Sequence, residues 1–279
     1  MDRFADSRAT ASLGARIRWQ AGIFGAYFAQ FVKTRLAYRM DFFVDTLGVL
    51  ASIGIQLAVL TTLFGKVQAL KGWTFEQVLF IYGFSLVPLG LFNLVSVNLY
   101  GFADSYLIEG KFDRVLLRPV NALAQVLFES FNVSGLNEIG LGLAVCVWAG
   151  LRMHLEVAPG DVAALLVLAP TAALVYLGVF LAITTVSFWF EDRMGIAPPV
   201  YNVIRFSRYP LTIYSLPVRI LLTFVLPFAW VAYYPATWFV GGPGLKPAAA
   251  LTPLVGLAVF GAAVLLWSRG VRNYTSTGS

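Results

Sequence analysis

The side chains best placed to do chemistry in this sequence are Ser134, Asn137 and Glu138, which lie inside a long apolar stretch. If residues 122–149 form one helix, these three and Ser130 share about 100° of arc, with Glu129 nearly opposite. An ionised group at mid-membrane costs at least about 2.5 kcal/mol on insertion scales, so it faces protein or water. Ser134, Asn137 and Glu138 are thus candidates for a substrate path or subunit interface. The plainer alternative is a hydrogen-bonded contact between neighbouring helices. Other chemistry is thinly supplied. His154, beside Glu156, and Cys146 are the only residues of their types, which gives no metal constellation, no histidine-based triad and no intrachain disulfide. No G-x-x-x-x-G-K-[ST] occurs, so no P-loop nucleotide site is expected. A non-catalytic chain without a cofactor or metal of its own is the expectation.

The elements that position these groups follow from composition. Of 279 residues, 59% are hydrophobic and 12% charged, about half the charged share of a soluble domain. Crossing about 30 Å of hydrocarbon takes about 20 apolar residues. Candidate spans are Phe42 to Phe64, Val78 to Tyr100, Ala122 to Ala149, Val162 to Phe190, Leu216 to Trp230 and Thr252 to Trp267. Tyr233 to Gly244 is apolar but broken by Pro and Gly, and is expected to dip into the outer interface without crossing. The fold class is therefore an all-α polytopic membrane protein with six transmembrane helices.

Lys and Arg are retained on the cytoplasmic side of a membrane. With these spans, all 20 except Lys66, Lys71, Arg152 and Lys246 fall on one face, which predicts both termini cytoplasmic. The basic excess reads as a topology signal, and nucleic acid is not an expected partner. Before the first span, Ile23, Phe24, Tyr27, Phe28, Phe31 and Val32 form one helical stripe flanked by Arg16, Arg18, Lys33, Arg35 and Arg39. That pattern predicts an amphipathic helix lying in the interface. Residues 1–40 are read as the cytoplasmic N-terminus with this helix, 41–268 as the membrane domain and 269–279 as a cytoplasmic tail. No removable signal peptide is expected at the start. Arg219, one turn inside the fifth candidate span, can snorkel to the headgroups.

Two stretches carry a resemblance. One is Glu109-Gly110-Lys111-Phe112-Asp113-Arg114-Val115-Leu116-Leu117-Arg118-Pro119-Val120. The other is Arg205-Phe206-Ser207-Arg208-Tyr209-Pro210 with Ile213-Tyr214. Together with Gly72-Trp73-Thr74, Leu226-Pro227 and Tyr234-Pro235-Ala236, these resemble a bacterial family of ABC transporter permeases of the type-2 exporter class, from Gln30 to Arg269. The resemblance implies a six-span permease of the bacterial plasma membrane. It would work as one half of a homo- or heterodimer, surrounded by lipid and driven by a separate cytoplasmic ATPase that carries ATP and magnesium.

The residues agree with that division of labour. The loop from Gly101 to Pro119 mixes Glu109, Lys111, Asp113, Arg114 and Arg118 with apolar Tyr106, Leu107, Ile108 and Phe112. It suits an element docking in a partner's groove, with Phe112 as anchor and the charges as rim. The alternative is a solvated turn whose charges hold topology. Arg205, Arg208 and Tyr209 are candidates for a second cytoplasmic contact. Two rival functions remain open. An ion-coupled secondary transporter or channel needs coupling charges and commonly shows inverted repeats, and only Glu138 and no clear repeat is found. A non-transporting membrane scaffold is the other.

Overall fold

The computed structural model describes residues 39–190, 196–241 and 243–276. The expected interfacial helix and Arg193 lie outside the described residues. Regular structure among those residues is helical, apart from an isolated bridge between Leu70 and Trp73. The helices needed here are α1 (Arg39–Phe64), α2 (Phe75–Val95), α3 (Lys111–Leu117), α4 (Ala122–Phe128), α5 (Ser134–Arg152), α6 (Pro159–Val186), α7 (Ala197–Ser207), α8 (Leu216–Ile220), α9 (Tyr233–Val240) and α10 (Thr252–Asn273). Five segments are long and apolar enough to cross a bilayer: Thr46–Phe64, Phe75–Val95, Ser134–Arg152, Pro159–Val186 and Lys246–Asn273. A further pair, Leu216–Val225 and Phe228–Val240, is bent by 74°. The protein is an all-helical polytopic membrane protein with five to six candidate spans.

Local signals set several ends. Thr74 caps α2 reciprocally with Gln77: the Thr74 N–H donates to Gln77 Oε1 at 3.0 Å and the Gln77 N–H to Thr74 Oγ1 at 3.4 Å. At the start of α6 the Asp161 carboxylate accepts the Ala158 N–H and Trp238 Nε1–H, both at 3.0 Å. Gly110, at φ 68°, turns the chain into α3 with a left-handed backbone that a Cβ would strain.

Packing is organised around α2, the most buried of the candidate spans at 78%, against 11% for α1. In lipid there is little hydrophobic drive between helices, so close approach at small residues does the work. A Cβ on Gly90 would stand 2.4 Å from the Gly135 carbonyl oxygen, and one on Gly83 would stand 3.0 Å from that of Gly142. The pairs 83–142 and 90–135 run in opposite senses, so α2 and α5 are antiparallel. On the other side Gly256 abuts Thr171, Gly178 abuts Val259 and Phe260, and Gly270 abuts Thr185 and Phe188. These pairs advance together along both chains, so α6 and α10 are parallel.

The structure corrects two expected spans. Residues 122–149 are not one helix, because the chain breaks between Phe128 and Ser134. The Asn132 side-chain oxygen accepts the Ser134 N–H at 3.1 Å, and the Asn132 backbone N–H donates to the Leu94 carbonyl at 3.0 Å. These bonds start a new helix at Ser134 and remove Glu129 and Ser130 from its surface. The segment Leu216 to Trp230 is also not one straight helix: a Leu226-Pro227 break separates the two arms of the bent pair. Both ends of residues 212–240 lie at one end of α2. Trp73 Nε1 donates to Thr212 Oγ1 at 2.9 Å, and Gln77 Nε2 donates to the Val240 carbonyl at 3.3 Å. Between them Phe228 reaches inward to Tyr176, with ring centroids 5.1 Å apart.

Candidate functional site

Residues 197–212 run antiparallel to α2. Tyr201 lies near Asn93, Arg208 near Tyr82 and Thr212 near Trp73. Arg205 therefore lies on α7, with Arg208 and Tyr209 just beyond it, alongside α2. Arg208 sits beside Tyr82, seven residues or about 10 Å inside the Phe75 end of α2. Hydropathy misses this segment because α7 has only 11 residues and carries Arg205, with Arg208 and Pro210 just beyond.

The helices enclose a cavity of about 700 Å³. α1 contributes Gly48, Ser52 and Gln56, α2 Tyr82 and Leu86, α5 Ser134 and Glu138, and α7 Tyr201 and Arg205, with Arg208 beyond α7. Asn93 Nδ2 donates to Glu138 Oε2 at 2.7 Å and lies 3.4 Å from the Tyr201 hydroxyl. The Tyr209 hydroxyl donates to Gln56 Oε1 at 3.2 Å. Asn137 points elsewhere, donating from Nδ2 to Thr46 Oγ1 on α1 at 2.8 Å. The three predicted polar residues of α5 thus divide: Ser134 and Glu138 line the cavity, and Asn137 ties α5 to α1. Arginine at the centre of a membrane helix costs about 2.5–3.5 kcal/mol on insertion scales, which favours placing it on a wet or occupied cavity.

Glu138 makes a testable contact. In Glu138→Gln the side-chain oxygen still accepts from Asn93, so a change in thermal midpoint of less than about 1 kcal/mol equivalent is expected. Glu138→Leu removes the acceptor and leaves Asn93 with only its longer contact to Tyr201, at an expected cost of about 1–3 kcal/mol. Thermal unfolding of both detergent-purified variants measures the difference.

The loop of residues 101–118 forms a second region. Phe112 is fully buried, with its ring 5.7 Å from Phe102, 5.3 Å from Phe188, 6.0 Å from Trp267 and 5.0 Å from Tyr274. It is no exposed anchor, contrary to the expectation from sequence, because those rings converge on it from the turn beyond α6, from α10 and the residue after it, and from the loop itself. Tyr106 donates to the Glu129 carboxylate. Burial, reinforced by that hydrogen bond, pushes the Tyr106 phenol well above its ordinary range. Asp113 accepts from Ser276 at 2.8 Å, and Lys111 pairs with Glu109 at 2.8 Å. The exposed side chains of the loop include Ile108 (44%), Leu116 (44%) and Leu117 (84%), and the charged Asp104, Glu109, Arg114 and Arg118. Leu116 and Leu117 follow Val115 in a plain apolar run, so nothing in the sequence singled them out as surface residues. Among the described residues no group of three or more His, Cys, Asp or Glu gathers as a metal site.

Long apolar helices locked by glycine contacts, with Ser134, Glu138, Arg205 and Arg208 gathered on one cavity, define a polytopic membrane protein. The family model described as ABC-2 family transporter protein matches residues 50–278, and the chain belongs to that family. It is a permease of an ABC transporter. No curated protein and no solved structure matches the chain.

Proposed function

We propose that this permease is the membrane half of an exporter in a bacterial plasma membrane, paired with a second permease and driven by a cytoplasmic ATPase docked on residues 101–118. The observation that carries the reading is the make-up of that loop. Its exposed apolar side chains, which would form the docking ridge, are Ile108, Leu116 and Leu117, and its exposed charges are Asp104, Glu109, Arg114 and Arg118. Its inner side is Phe112, wedged between Phe188, just beyond α6, and Trp267 of α10. A partner pushing on the ridge would act on helices through a packed joint. Leu117 takes the anchor role that the sequence assigns to Phe112, while Lys111 and Asp113 brace the loop through Glu109 and Ser276.

Topology supports the same picture. Because α6 and α10 are parallel, the chain between them makes one net crossing. Residues 197–213 supply it, and residues 216–240 enter from the Trp73 end and return to it. With the crossings of α1, α2, α5, α6 and α10, this gives six, with both termini and the loop of residues 101–118 on the cytoplasmic face. Glu138, Ser134 and the cavity then stand on the substrate path.

Docking is tested with Leu117→Asp and Arg114→Glu. Truncating a buried interface anchor costs about 2 kcal/mol or more, so Leu117→Asp is expected to weaken ATPase co-purification at least about tenfold. Arg114→Glu should do so less, with a defect that deepens at low salt, where rim charges matter most. Membrane insertion should be unchanged in both. Normal co-purification and coupled hydrolysis in both variants would leave the loop as a topological anchor only. The isolated chain should hydrolyse no ATP above background.

A further inference from the structure

The Arg208 guanidinium is not explained by helix packing. It lies 6.0 Å from the centre of the Tyr82 ring. Its Nε is buried without a hydrogen-bond partner, and so is the Tyr82 hydroxyl beside it. Among the described residues no carboxylate forms an ion pair with Arg208, or with Arg205 one helical turn earlier. Among the described residues Glu138 is the carboxylate on the cavity wall, and it is engaged by Asn93. The cavity therefore presents two cationic forks, neither of them in an ion pair among the described residues. Its wall along α1 is apolar and opens outward: Val44 and Ile55 line it and are 62% and 66% exposed. Its volume of about 700 Å³ lies within the range of small-molecule sites, roughly 300–1,000 Å³.

We propose that this cavity binds an amphipathic anion. Its carboxylate or phosphate head is held by Arg208 and Arg205, and its hydrocarbon body lies along Val44, Ile53 and Ile55. Guanidinium suits such a head because its planar fork matches the paired oxygens of carboxylate and phosphate. The Tyr82 hydroxyl offers a further donor at the same place. The tail stays against apolar α1 and can enter sideways from the bilayer, so the ligand need not pass through water. The proposal rests on the permease reading and gives it a substrate class. The anion has two sources, a single-chain amphiphile such as a fatty acid or a diacyl phospholipid.

The test uses the full chain in phosphatidylcholine nanodiscs with spin-labelled probes: stearate, phosphatidic acid and the methyl ester of stearate as the uncharged comparator. At least one anionic probe should be immobilised at least about tenfold more tightly than the ester. Arg208→Gln and Arg205→Gln should each weaken it by about tenfold, with Arg208→Lys in between, since an ammonium keeps the charge and loses the fork. Stearate alone being held names the single-chain source, and phosphatidic acid alone names the phospholipid. Should Arg208→Gln fail to fold, Gly48→Trp fills the cavity from a position where a Cβ meets nothing within 4 Å. It should abolish binding in a folded protein. Equal retention of the ester, retention of neither anion, or wild-type binding in the Arg205→Gln/Arg208→Gln double variant or in Gly48→Trp would overturn the proposal. Binding is read without any ATPase. Loss of ATPase dependence with binding intact would refute the permease reading and leave the site standing, and the converse would refute the site alone.

Discussion

Gly135→Val is expected to abolish the folded, monodisperse protein, whereas Gly140→Val on the same helix should be close to silent. A Cβ at position 135 would stand 2.4 Å from the Gly90 carbonyl oxygen and 3.0 Å from the Leu94 backbone nitrogen. Both obstacles are main-chain atoms of α2, so no rotamer change relieves them and the helices must move apart. Overpacking a core costs about 1–3 kcal/mol when side chains can adjust, and a backbone collision exceeds that range. Separation would also strip contacts at Gly83 and Gly142 further along the seam. There a Cβ on Gly142 would stand 2.7 Å from the Gly83 carbonyl. Lipid offers no alternative driving force to hold the pair. At Gly140 a Cβ meets nothing within 4 Å. Size-exclusion profiles and thermal midpoints of the two variants in one detergent measure the contrast. Equal profiles would mean that α2 and α5 do not approach as closely as the glycines require. Gly256→Val, where a Cβ would reach the Thr171 carbonyl oxygen, should behave as Gly135→Val does.

How much of this was legible in the sequence depended on whether hydropathy alone decided the element. α2, α6 and α10 were found within a few residues, since they are long, charge-poor and set off by Thr74, Asp161 and the basic Arg269 and Arg272. The break at 129–133 was not. It depends on Asn132 capping Ser134 while its N–H bonds to Leu94, a partner distant in sequence. The course of residues 197–213 was hidden for a related reason. Its arginines suit a cytoplasmic contact or an interfacial helix equally well, and only the cavity opposite them makes an arginine tolerable beside α2. Ser134 and Glu138 were recognised by residue type, but their cavity was not, because Arg205 and Arg208 had been assigned to the other side of the headgroups. The family motifs drew attention to the loop around Phe112. Which of its aromatic and aliphatic side chains faced inward was settled by Phe188, Trp267 and Tyr274, at least 70 residues away in sequence.

Phe112→Ala is expected to disconnect the loop of residues 101–118 from the helices without preventing insertion. The Phe112 ring is fully buried and meets Phe102 of the loop, Phe188 just beyond α6, Trp267 of α10 and Tyr274 just beyond α10. Removing a buried phenylalanine costs about 3–5 kcal/mol, depending on how far the site can collapse. Here collapse is limited, because Phe102, Phe188 and Trp267 also pack on one another at 5.2–5.4 Å and are held by three different elements. The loss is local, since α3 has seven residues and is fixed chiefly by Phe112, Val115 and the Gln125 Nε2 bond to the Val115 carbonyl at 3.1 Å. Hydrogen exchange across residues 103–118 should therefore rise by roughly two orders of magnitude or more, while α2 and α6 stay protected. Phe112→Leu keeps most of the apolar volume and should lie much nearer wild type. Because the docking ridge of Leu116 and Leu117 rides on the same element, Phe112→Ala should retain ATPase binding only weakly and lose coupling between hydrolysis and transport. Leu117→Asp, in contrast, should weaken docking with exchange unchanged. Unaltered exchange in Phe112→Ala would show that the loop is held from outside the aromatic cluster, and the packed joint would then have no part in transmitting force.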